Sequence, residues 1–153
     1  MNRRLVSCRL VLGLLGLLAL TRCGGPPPPP VLTLTINGSA DQNPDGTGRP
    51  QPVAVRVYQL SATAKFLQSD IFALKDREMQ TLGAESAGSQ ELLIAPGDSK
   101  TIKVDLKPMV SSIGVAVLFQ NIDTAQWRAT APANASGPTN LTATVGKLAV
   151  TLK

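Results

Sequence analysis

The sequence predicts an all-β domain: a two-sheet β-sandwich of seven or eight short strands with one small helical insertion. Three observations carry that reading. Apolar and polar residues alternate at 32–36, 53–57, 102–106 and 148–152, the period of a strand with one buried face. Only 62–82 departs from that rhythm, with helix formers and charges. Clusters of Pro, Gly, Asn and Asp punctuate the runs where a chain must turn.

In chain order, Leu32, Leu34 and Ile36 face one way, and Thr33, Thr35 and Asn37 the other. The connection to the next strand, Asp41-Gln42-Asn43-Pro44-Asp45-Gly46-Thr47-Gly48-Arg49-Pro50-Gln51-Pro52, is the longest loop with strong turn chemistry. Its prolines restrict φ, while Gly46 and Gly48 permit left-handed backbone. The loop is therefore expected to be shaped, and to display Asn43, Asp45 and Arg49. Val53, Val55 and Val57 form the next inward row, with Arg56 and Tyr58 on the other face.

In the insertion, Ser69 or Asp70 is placed to cap a helix start. Phe72, Met79 and Leu82 are read as its buried stripe and Gly83 as its stop. A strand is expected near Glu91–Ala95, followed by a tight turn at Pro96-Gly97-Asp98. Ile102, Val104 and Leu106 make a one-sided strand. Ile113–Phe119 is apolar on both faces, which places it centrally with cover on each side. Asn140–Val145 and Leu148, Val150 and Leu152 complete the set. Trp127 is read as a plug at a sandwich edge, with a surface cation–π site with Arg128 as the alternative.

The start of the chain has a different logic. Met-Asn-Arg-Arg and an apolar run of 11 residues, Leu10–Leu20, precede Cys23. A basic segment and a short apolar one ahead of a cleavage site describe a secretory signal peptide. The run is well short of the roughly 20 residues a membrane-crossing helix needs. With Gly24, Gly25 and Pro26–Pro30 behind it, Cys23 reads as the lipidated first residue of a bacterial lipoprotein. Arg22 fits poorly in a peptidase subsite shaped for small residues, so ordinary signal cleavage nearby is the alternative. The expected organisation is signal peptide 1–22, lipidated Cys23 with a proline-rich tether to 30, and sandwich 31–153. The prolines are expected to form polyproline II, rising about 3.1 Å per residue, and to hold the domain clear of lipid headgroups.

Removing the signal changes the meaning of the composition. Cys8 leaves with it, so Cys23 has no disulfide partner. Four of the fifteen cations leave too, setting eleven against ten acids, a mature balance of +1. The basic pI is then no argument for nucleic acid. The chain has no histidine, which removes the commonest general base and imidazole zinc sites. No catalytic constellation, cofactor motif or metal-ligand spacing emerges, so an enzyme is the least expected reading. The aromatic residues Tyr58, Phe66, Phe72, Phe119 and Trp127 are too scattered for a sugar-stacking platform.

Several ordered segments together resemble the TssJ (SciN) family, the outer-membrane lipoproteins of type VI secretion systems. They are Ala40–Leu60, Phe66 with Ser69–Leu74, the Leu-Ile-Ala-Pro-Gly stretch ending at Gly97, and Ile113–Phe119 leading to Trp127-Arg128. The resemblance implies a transthyretin-like sandwich, lipid-anchored to the outer membrane and facing the periplasm. It also implies binding to the periplasmic part of TssM, helping to assemble the trans-envelope complex with TssL. In that family the loop between the first two strands contacts TssM, which here points to Asp41, Gln42, Asn43, Pro44, Asp45, Gly46, Thr47, Gly48, Arg49 and Pro50. Gly24 behind Cys23 agrees with outer-membrane sorting. The competing reading is a lipoprotein of another envelope machine, such as a secretin pilot or pilus-assembly factor, or a surface adhesin.

Overall fold

The computed structural model describes residues 25–153; Cys23 and the signal segment 1–22 lie outside them. Eight strands build two sheets: β1 (Val31–Gly38), β2 (Val53–Leu60), β3 (Ser86–Ile94), β4 (Ser99–Asp105), β5 (Ser112–Val117), β6 (Arg128–Pro132), β7 (Pro138–Val145) and β8 (Val150–Leu152). One sheet runs β4-β1-β7-β8 and the other β3-β2-β5-β6. The architecture is the predicted sandwich with a small helical addition. β1 lies inside its sheet, antiparallel to β4 and parallel to β7.

The alternation explains the packing. Leu32, Leu34 and Ile36 point inward against Val53, Val55 and Val57 of the facing sheet, while Thr35 on the outer face shares a 3.0 Å hydroxyl contact with Thr101 across the strands. β5 is buried on both sides, as its unbroken apolar run requires. Ile113, Val115 and Val117 enter the sandwich core, and Ala116 faces a second, outer cluster. A Cβ on Gly114 would come within 2.9 Å of Leu60 and 3.0 Å of the Phe66 ring, so only glycine leaves room for that ring.

The outer cluster belongs to the insertion, where the expected single stripe is corrected. There are three short helices, α1 (Ala64–Gln68), α2 (Ile71–Asp76) and α3 (Glu78–Leu82). Ser69 and Asp70 are extended, and Arg77 leaves helical geometry, so no one 3.6-residue phase runs through the segment. The buried residues are Phe66, Ile71, Ala73, Leu74 and Leu82, whereas Phe72 is 62% and Met79 74% exposed. The cap at Asp70 is as expected, its carboxylate accepting from the Ala73 N–H at 2.8 Å. Gly83 ends α3 at φ 53.

This layer also covers Tyr58, which points outward from its sheet yet is only 1% exposed. Its hydroxyl donates to the Leu74 carbonyl at 3.2 Å, and its ring meets Phe66 at 5.3 Å. Burial pushes the phenol above its ordinary range. Arg56 fastens the layer to the sheet through Glu78 at 2.9 Å and the Lys75 carbonyl at 3.0 Å.

Three further differences from the sequence reading bear on the site. β6 is a strand that the sequence pattern does not announce; its first residue, Arg128, donates to the Phe66 and Ser69 carbonyls and so closes the end of α1. The Arg128 guanidinium also lies 4.6 Å from the centre of the half-buried Trp127 ring, so the plug and the cation–π site coexist. β3 begins at Ser86, ahead of Glu91, through a register shift opposite Gln59 and Leu60.

The tether is shorter than its prolines suggest. The Gly137 N–H donates to Pro28 and the Leu106 N–H to Pro30, at 3.1 and 2.9 Å. Pro28–Pro30 is therefore part of the domain and not spacer. Among the described residues no helix is long and apolar enough to cross a membrane.

Candidate partner-binding loop

The chain between Gly38 and Val53 crosses from one sheet to the other at the pole opposite the tether, because β1 carries it the full length of the sandwich. The β3–β4 turn, the β5–β6 connection and the β7–β8 turn meet at the same pole. The loop is bonded to all three. Gly38 N–H donates to Asp98 at 2.8 Å, Gly97 N–H to Ser39 at 3.2 Å, and Asn43 N–H to Lys147 at 3.0 Å. The Gln120 N–H donates to Asn43 Oδ1 at 2.8 Å.

Two side chains form an inner layer. Gln42 is 0% and Asn43 2% exposed, which corrects the expectation that Asn43 is displayed. Gln42 Nε2 donates to the Ile94 carbonyl at 2.8 Å and to that of Gln51 at 3.3 Å. Its Oε1 is buried without a hydrogen-bond partner. Asn43 Nδ2 donates to Pro52 at 3.0 Å, closing the base of the loop. The Asn43 backbone sits at φ 45, a left-handed geometry that asparagine tolerates better than most residues.

Above them Asp45 organises the crown. Its Oδ1 accepts from the Thr47 N–H, the Thr47 hydroxyl and the Arg49 N–H at 2.8, 2.6 and 3.0 Å. Its Oδ2 accepts from Gln51 Nε2 at 2.9 Å. The Thr47 hydroxyl, with the Arg49 and Thr47 amides, holds the Asp45 carboxyl below its usual range. The Gly48 N–H donates to the Asp45 carbonyl at 2.9 Å, and Gly48 takes φ 83, closing a tight turn. Asp41 accepts from the Ser39 hydroxyl at 2.7 Å at the loop's entry.

The ten residues singled out by the sequence thus separate by depth. Gln42 and Asn43 are inside; Asp41, Gly46, Thr47, Gly48, Arg49 and Pro50 are exposed; Pro44 and Asp45 are half-buried. Among the described residues no carboxylate lies within salt-bridge distance of Arg49, which leaves its guanidinium free for an outside acceptor. The carboxylate of Asp45 is spent on the loop's own donors. The exposed face of the loop offers one unpaired cation, Arg49, and peptide groups on a fixed backbone. Gln120 is the member of this surface that sequence reasoning missed. Its contact with Asn43 spans 77 positions, and no local pattern announces it.

The sequence matches the T6SS-SciN family, described as "Type VI secretion lipoprotein, VasD, EvfM, TssJ", over residues 30–148. No curated protein sequence matches the chain. Among solved structures, the T6SS lipoprotein TssJ1 from Pseudomonas aeruginosa is similar with a TM-score of 0.79 and 26% identity, covering 82% of this chain and 96% of that one. A chain of the "Type VI membrane complex" is similar at 0.72 and 26% identity, covering 81% and 98%. A chain in the structure named "T6SS protein TssM C-terminal domain (869-1107) from EAEC" is similar at 0.69 and 24%, covering 81% and 98%. With nearly all of its sandwich matched and its sheets superposing on a solved relative, this chain belongs to the type VI secretion lipoprotein family, the SciN or TssJ family.

Proposed function

We propose that this protein is lipid-anchored through Cys23 in the outer membrane, faces the periplasm, and captures the periplasmic part of TssM with the crown of the Asp41–Pro50 loop. TssL is then engaged indirectly, through TssM. The observation that carries this reading is the opposition of the two poles. β1 has eight residues, about 26 Å at a strand's rise of roughly 3.3 Å per residue. A tether at one end therefore turns the crown away from the membrane that holds it.

Two further facts support the reading. The loop is bonded to all three neighbouring connections before any partner arrives, and a preformed site loses little entropy on binding. In the TssM structure, the matched chain is almost wholly covered by 81% of this one. A chain of this fold thus occurs in a structure named for the TssM domain.

The test is titration of the mature protein with the periplasmic fragment of TssM, using a Thr47→Arg, Arg49→Glu double variant. Both positions are exposed, so the fold is expected to survive while capture is lost. Wild-type affinity in the double variant would remove the loop from the interface. A Cys23→Ser form is expected to keep the affinity and to leave the membrane fraction.

A further inference from the structure

We propose that the cleft between α2 and the β5–β6 connection is the apolar anchor point of the same interface, taking one leucine- or phenylalanine-sized side chain of the partner that the crown captures. This inference rests on the reading of the loop as the partner site. The cleft is about 110 Å³ and is lined by Ile71, Phe72, Leu118, Phe119, Gln120 and Ile122. That is room for a single apolar side chain, and no charged residue faces it.

Phe72 is the observation that needs explaining. The other apolar residues of α2, namely Ile71, Ala73 and Leu74, are buried, while Phe72 stands 62% exposed at the rim of the cleft. Most of its ring is left to solvent. A largely exposed aromatic beside a small apolar cleft is the arrangement found at the centre of protein interfaces, where a few apolar anchors surrounded by polar contacts dominate affinity.

Continuity with the crown decides which partner fills the cleft. Gln120 lines it, donates its N–H to Asn43 Oδ1, and also lines a shallow depression shared with Pro44, Asp45, Gly46 and Asn121. Crown, depression and cleft therefore form one unbroken surface. A partner seated on the crown meets Phe72 without crossing any intervening element. The same surface faces away from the tether, which argues against lipid. A cleft that holds one side chain does not by itself supply the roughly 1,200 Å² or more of a stable interface, so its occupant needs the adjoining crown as well.

The experiment compares the mature protein with Phe72→Ala, Phe72→Leu, Met109→Ala and the crown double variant, each titrated with the periplasmic fragment of TssM. Phe72→Ala is expected to weaken binding about tenfold or more, and Phe72→Leu to restore most of the affinity, with unfolding midpoints unchanged. Met109, 85% exposed on the tether pole, reports the effect of trimming an apolar residue outside the surface and is expected to leave binding unchanged. If Phe72→Ala binds like wild type while the crown variant fails, the cleft is overturned and the loop reading stands. If both bind like wild type, the loop reading falls and takes the cleft with it. A homodimer that sedimentation detects in wild type and not in Phe72→Ala would assign the cleft to a second copy and overturn the proposal.

Discussion

Gln42 and Asn43 stand next to Pro44–Pro50 in one loop, yet the two groups of residues do opposite work. The first two turn their amides inward and bond to Ile94, Pro52 and Gln120. The rest turn outward around the Asp45 carboxylate. The shape of the crown is therefore set from beneath, by buried polar groups that reach other connections, as much as from within by proline and glycine. A polar loop can possess a small polar core, and that core fixes the surface offered to the proposed partner.

If that division holds, damage to the inner layer should appear as lost stability. Asn43→Leu is expected to have the largest effect. It orphans the Gln120 N–H and the Pro52 carbonyl and puts a larger side chain at φ 45. Both orphaned groups lie in part-buried hydrogen bonds, so each is placed at the low end of the about 1–3 kcal/mol for an unpaired group. With about 1–2 kcal/mol for leucine in left-handed backbone, a loss of roughly 2–4 kcal/mol is expected in denaturant unfolding. A variant as stable as wild type would show that the inner layer is decoration. Deletion of the whole segment 42–48 would confuse the two roles, which is why substitutions confined to the crown are the cleaner probe of binding.

Gly38→Ala attacks the same layer from β1. A Cβ there would overlap Gln42 Oε1, and would lie 2.8 Å from the Ala95 carbonyl and 2.9 Å from Ile94. The Ala95 backbone cannot step aside cheaply, and overpacking of this kind costs about 1–3 kcal/mol. The unfolding midpoint should fall by less than in Asn43→Leu. Affinity for TssM should fall too if the displaced Gln42 carries the loop with it, which sharpens the comparison by linking the two layers.

The sequence was most informative where one period governs a whole element. Leu32, Leu34 and Ile36 or Val53, Val55 and Val57 declare a strand and its inner face because every second residue meets the same environment. The insertion failed that logic: extended backbone at Ser69 and Asp70 resets the helical phase, so Phe72 and Met79 fall outside and Phe66 and Leu74 inside. β6 escaped notice because Arg128-Ala129-Thr130-Ala131-Pro132 has small residues where a strand usually carries large ones. The candidate loop was legible as a loop, from its prolines and glycines. Its inner layer was not, since an amide in a turn-rich stretch reads as solvated until Ile94 and Gln120 are brought to it by the fold. The lipid anchor rests on sequence alone, as Cys23 lies outside the described residues.

The smallest effect belongs to the crown's own organiser and is visible through pH. Hydrogen bonds from Thr47 and Arg49 hold the Asp45 carboxyl below its ordinary value in the folded state. The unfolded chain then takes up the proton first as pH falls. The stabilisation is fully present above the ordinary carboxylate range, near 3.9, and is lost as pH drops through the lower folded value. Asp45→Asn removes this contribution: an amide cannot be ionised, and its nitrogen cannot accept from Gln51. The variant should be modestly less stable than wild type at neutral pH. The gap should narrow as pH falls through and below the carboxylate range, because the protonated aspartic acid of the wild type comes to resemble the amide. Solvent beside the crown keeps the effect small. Parallel unfolding curves for the two proteins down to acid pH provide the check. A gap that stays constant with pH would mean that Asp45 shapes the crown by geometry alone, leaving its charge without a part in holding the loop that TssM is proposed to meet.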